Sequence, residues 1–226
     1  MTYSDYRRIA RENLEGNWGK SLAIALVAAF FGALLAGSNI GFEVNMDAEY
    51  IHRLPRILLS LLAFFASIAS ILNLVQFILG GTVQLGYTQI LLKQYQHMEF
   101  EMGELFSQFH RFKQGFLQSF LRILYIVLWS LLFIIPGIIK SFAYAMTPFL
   151  MADNPSMTAK EAIAASKELM DGHKGKLFIL GLTFIGWDIL AILSLGIGFL
   201  WLNPYKEATY AAFYRDLIIQ RNNTVE

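Results

Sequence analysis

Four charged side chains interrupt stretches that are otherwise apolar: Lys140, Asp188, Lys206 and Glu207. Ionisable groups in apolar surroundings are costly to desolvate, and they tend to face one another or a water-filled interior. Counting about 1.5 Å per helical residue from the neighbouring turns puts all four at depths within about 8 Å of one another. Two acids and two bases then form a neutral cluster, with Asp188 and Lys206 expected to pair. Tyr144, Asn203, Tyr205 and Tyr210 are placed to supply hydrogen bonds. Three roles are open to the cluster. It is a structural ion-pair network, or a path for a substrate or ion, or Lys140 snorkels toward lipid headgroups.

Other chemistry has little support. The chain has no cysteine, which excludes a disulfide framework, a thiolate nucleophile and cysteine-ligated metal. It contains no His-Glu-x-x-His helix, no Gly-x-Ser-x-Gly elbow and no phosphate-cradling loop. Gly196-x-Gly198 reads as a turn between helices. His97, Glu101 and His110 share one loop, with His97 and Glu101 four apart, but histidines in a polar loop are ordinarily just solvated. No catalytic residue, cofactor or metal is expected. A net charge of +1 leaves no nucleic-acid footprint.

The elements that must position the cluster are helices. Of the 226 residues, 56% are hydrophobic and only 15% charged, well below the quarter typical of soluble domains. Apolar blocks at residues 21–37, 57–80, 116–135, 137–152, 177–193 and 199–219 alternate with charged segments, and about 20 apolar residues cross a bilayer. The expected fold is therefore all-α, a polytopic membrane bundle of six spans in three hairpins. These hairpins occupy residues 1–95 (with an outer loop at 38–56), 96–153 and 154–226, in a single membrane-embedded domain. Ala33 to Gly37 has the small residues of a cleavage site, but Asp5, Glu12 and Glu15 argue for a retained first helix. With both termini inside, thirteen lysines and arginines lie on the inner side against Arg53 and Arg56 outside, the bias of a cytoplasmic orientation.

Pro148 and Pro204 are expected to break spans four and six and Gly80-Gly81 to loosen span two, freeing carbonyls toward a site or merely improving packing. Arg11 to Lys20 and Lys167 to Lys176 match at an offset of 156, sharing Glu, Gly, Gly and Lys. Each reads as a short amphipathic helix closed by a glycine with positive φ (Gly16, Gly172) and followed by an interfacial lysine. Thr158 and Glu161 have capping-box spacing. The helix they start carries Ala162, Ile163, Ser166, Leu169 and Met170 on one side, a face for the inner leaflet or for a partner.

Several runs together resemble one family. They are the Arg11–Lys20 segment, Pro136-Gly-Ile-Ile-Lys140, Met151-Ala-Asp-Asn-Pro155, Ser166-Lys-Glu-Leu-Met170, Phe184-Ile-Gly-Trp187, Asn203-Pro-Tyr205 and Phe213-Tyr214. The chain is similar to bacterial integral membrane proteins of domain-of-unknown-function family 975. That resemblance implies a bacterial cytoplasmic membrane protein and carries over no catalytic or binding residue. The leading functional expectation is a non-enzymatic membrane protein acting through lipids, a membrane partner or a second copy of itself. The alternative is a small transporter or channel using Lys140, Asp188, Lys206, Glu207, Tyr144 and Tyr205.

Overall fold

The computed structural model describes residues 1–31 and 56–225, and among these residues it is all helix and turn, with no strand. The expected outer loop as far as residue 55, the stretch Ala33 to Gly37 and His52 lie outside the described residues. The order is α1 (Tyr3–Leu14), α2 (Trp18–Phe30), α3 (Arg56–Tyr95), a 3-10 segment (Met102–Arg111), α4 (Phe112–Leu132) and α5 (Ile134–Ala143). Then come α6 (Thr147–Asp153), α7 (Ala159–Leu169), α8 (Lys174–Leu182), α9 (Ile185–Leu193) and α10 (Phe199–Val225). Among the described residues, three stretches, Met102–Leu132, Ile134–Asp153 and Lys174–Leu193, are long and apolar enough to cross a membrane.

The largest buried cluster joins α1, α2, α3, α6 and α10, with Tyr6, Leu14, Ile24, Phe213 and Tyr214 all fully buried. Away from it, the ends of α4, α5 and α9 leave large apolar side chains uncovered.

Glycine works here by closeness rather than by breaking helices. α3 runs unbroken through Gly80-Gly81. A Cβ on Gly81 would lie 2.3 Å from the Gly115 carbonyl oxygen, and one on Gly115 would lie 2.6 Å from Thr82 Oγ1. The pair lets α3 and α4 cross backbone to backbone, the usual use of small residues between apolar helices.

The prolines also behave differently from expectation. The turn between α4 and α5 falls at Phe133, in extended backbone, and Pro136 and Gly137 already lie in the first turn of α5. Proline is tolerated there because first-turn amides have no partner within the helix. The fourth apolar block does divide, at Tyr144 to Met146, but ahead of Pro148, which sits in the first turn of α6. Pro204 does not divide α10. Its missing N–H forfeits one bond, to the Leu200 carbonyl near the helix start, and the neighbouring bonds carry the helix past it.

The helix ends follow local chemistry. Gly16 and Gly172 adopt φ of 78° and 73°. Thr158 N donates to Glu161 Oε2 at 2.8 Å, and Glu161 N donates to Thr158 Oγ1 at 3.4 Å, closing the capping box. His97, at φ 55°, ends α3, with His97 N bonded to Gln94 O at 3.1 Å and Met98 N to Lys93 O at 3.0 Å. Its place is a helix terminus, and among the described residues no group of three metal-ligating side chains exists.

The side of α7 expected to meet lipid or a partner is covered by the protein itself. Ala162, Ile163, Ser166, Leu169 and Met170 are all buried, against α5, α6 and neighbouring helices. Ser166 Oγ donates to Ala143 O at 2.9 Å, filling an orphan carbonyl in the last turn of α5.

Candidate functional site

Asp188 and Lys206 are positioned by α9, α10 and the tight turn between them. Asp188 stands in the first turn of α9, where the helix dipole favours an acid. Lys206 Nζ donates to Asp188 Oδ1 at 2.5 Å and lies 5.8 Å from the Phe184 ring centroid. About a fifth of the lysine and under a third of the acid remain exposed, so the pair is half-buried.

The other four expected residues have different partners. Lys140 Nζ sits 4.5 Å over the Trp129 ring. Tyr144 is buried beside Tyr125, their ring centroids 6.1 Å apart. Tyr205 packs edge-on against Phe184 at 5.5 Å, and its hydroxyl donates to Arg7 O at 3.3 Å. Glu207 is half-buried on α10, where the charges acting on it are first Arg122 and then Lys206. The four-charge cluster is therefore divided. Asp188 and Lys206 form one pair, Lys140 has its own aromatic partner, and Glu207 belongs to an interior group.

That interior group is built on α3, α4 and α10. Arg122 is 7% exposed and its Nη2 donates to Gln84 Oε1 at 3.1 Å. Gln118 Nε2 donates to Gln84 Oε1 at 3.4 Å and to Ser119 Oγ at 3.0 Å. Gln118 Oε1 and Tyr87 Oη are buried with no hydrogen-bond partner. Tyr87 and Tyr210 both lie within electrostatic reach of Glu207. Arg122, Gln84, Gln118 and Tyr87 were not among the expected site residues, although the sequence carries a signal for them. Gln118 and Arg122 are four apart, and Gln84 and Tyr87 three apart, which puts each pair on one helix face.

Buried polar atoms are nearly always hydrogen-bonded, so the two without partners single out this group among the buried polar residues. A carboxylate, a cation, an amide and a phenol can hold a small polar or ionic solute or relay a proton. The helix divisions add nothing to this site. Ser166 takes the Ala143 carbonyl, and Thr183 Oγ1 donates to Leu180 O at 2.7 Å at the division of α8 from α9.

Residues 131–222 match the model of a family described as "Protein of unknown function (DUF975)". No curated protein and no solved structure matches the chain. The match takes in α5 to α10, and with them Asp188, Lys206 and Glu207. Over residues 131–222 the chain is similar to the DUF975 family.

Proposed function

We propose that this is a multi-pass protein of the bacterial cytoplasmic membrane, both termini inside, that binds a small polar or ionic solute within its helical bundle, as a transporter or channel does. The observation that carries the reading is the buried Arg122, held on Gln84 beside a Gln118 whose Oε1 has no partner, with the charge of Glu207 acting on the guanidinium. Intramembrane ionisable groups that face a bundle interior commonly serve ion or proton pathways. The reading through partners or lipids rests on the missing catalytic motifs and the amphipathic inner helices, and of these the apolar face of α7 is occupied by the chain itself. The match between Arg11 to Lys20 and Lys167 to Lys176 supports related first and third hairpins, each entering the membrane beside an interfacial lysine.

Proton flux tests the reading. Purified protein in liposomes under a potassium diffusion potential is expected to dissipate a pH gradient faster than empty liposomes, and Glu207→Gln is expected to abolish the difference. Equal flux in wild type, variant and empty vesicles would overturn it.

A further inference from the structure

The turn joining α9 to α10 is built from the wrong residues for water. Leu195 is 94% exposed and Leu193 73% exposed, with Ile192 and Ile197 also open. Turns that face solvent are ordinarily made of Gly, Pro, Asn, Asp and Ser. Leu195 also stands at φ 56°, a left-handed position normally given to glycine or asparagine at a helix end.

The backbone N–H groups of this turn need no water. Ser194 N bonds Leu190 O at 3.0 Å, Leu195 N bonds Ile192 O at 2.9 Å and Gly196 N bonds Ala191 O at 3.0 Å. Ile197, Phe199, Leu200, Trp201 and Leu202 donate to carbonyls of the same turn. Gly198 N, the remaining donor, bonds Ser194 Oγ at 2.8 Å, while that hydroxyl donates to Ala191 O at 2.8 Å. All backbone N–H donors from residue 194 to residue 202 are thus satisfied internally. Hydrocarbon demands such self-sufficiency and water does not.

The reach of α10 agrees. Near its other end Asp216 accepts from Tyr6 Oη, and Arg215 Nη2 lies 3.1 Å from Asp153 Oδ1. The charged helix α1, with Arg8, Arg11 and Glu12 exposed, marks the polar boundary there. Phe199 to Asp216 is seventeen steps, about 26 Å at about 1.5 Å per residue. A hydrocarbon core is about 30 Å thick.

We propose that the α9–α10 turn ends inside the hydrocarbon of the far leaflet, with lipid acyl chains as its partner, so that this helical pair enters and leaves the membrane on the side of α1. The proposal goes beyond the solute site and does not depend on it. It also leaves the charge bias across the membrane intact, because the turn carries no lysine or arginine.

The absence of native cysteine makes the test direct. Leu195→Cys, labelled in detergent with an environment-sensitive fluorophore and reconstituted in full-length protein, is expected to be quenched by lipids brominated deep in their acyl chains. Aqueous iodide should leave it bright. Unlabelled Leu195→Cys should resist an impermeant maleimide added to both faces, while Asn222→Cys reacts. Iodide quenching or maleimide labelling of Leu195→Cys would overturn the proposal. So would weak quenching by both reagents with disulfide formation between copies, which would make the turn a protein interface.

Discussion

Lys206 and Asp188 meet through one short contact, Nζ to Oδ1 at 2.5 Å, between helices joined by a five-residue turn. Removing one partner leaves the other partly desolvated. Fully buried pairs lose roughly 3 to 5 kcal/mol in that case. The exposure of this pair reduces the expectation to about 2 kcal/mol. Asp188→Asn and Lys206→Met are each expected to lower thermal stability in detergent, and the double variant to recover most of the loss. Additive losses in a double-mutant cycle would show that the contact contributes no coupling.

Gly81 and Gly86 hold α3 against its neighbours. A Cβ on Gly86 would stand 2.1 Å from the Leu105 carbonyl oxygen, which is backbone and cannot swing aside. Gly86→Ala is expected to cost more than the roughly 1 to 3 kcal/mol of ordinary overpacking. Gly103→Ala, with open space around the added atom, should cost far less. Melting temperatures of the two variants in one detergent decide the point.

Gly16 and Gly172 fail in another way. Nothing lies within 4 Å of a Cβ at either position, yet both have positive φ. Alanine is expected to cost about 1 kcal/mol at each through backbone strain alone. Asparagine, which tolerates the left-handed region, should cost less than alanine. Equal losses for the two residues would point to a cause other than φ.

Ser166→Ala tests the packing of α7. Losing the bond to Ala143 O leaves that carbonyl buried and unpaired, which costs about 1 to 3 kcal/mol. The variant should melt earlier, and Ser166→Thr should retain part of the stability. A silent alanine variant would show that this cap is dispensable.

The capping boxes predict an acid limb. Hydrogen bonds from Thr158 hold the Glu161 carboxyl below its ordinary pKa, and those from Thr2 do the same for Asp5. A depressed pKa means stability that is present above the unfolded value and lost as pH falls through the folded one. Thermal stability should therefore decline as pH drops below the ordinary carboxylate range. Glu161→Gln should flatten part of that slope, as measured by melting in detergent across an acid pH series.

Composition and periodicity determined a good deal of this protein. Apolar blocks separated by charged segments required helices, because only a helix satisfies its own backbone in apolar surroundings. Local signals such as Thr158 with Glu161, or Gly16 and Gly172, act within four residues and so were legible. The contact between Asp188 and Lys206 could also be read, since the short turn between α9 and α10 leaves the two helices little freedom. Tertiary structure decided what depends on distant partners. Periodicity gave α7 an apolar face, but only its packing on α5 and α6 showed what covers it. Gly80-Gly81 looked like a hinge until Gly115 of α4 arrived opposite. Glu207 was legible as a charge within an apolar stretch, but its place near Arg122 rather than Lys140 depends on the rotation of three helices. A few tens of degrees of rotation exchange one facing side chain for another, and packing alone fixes that angle.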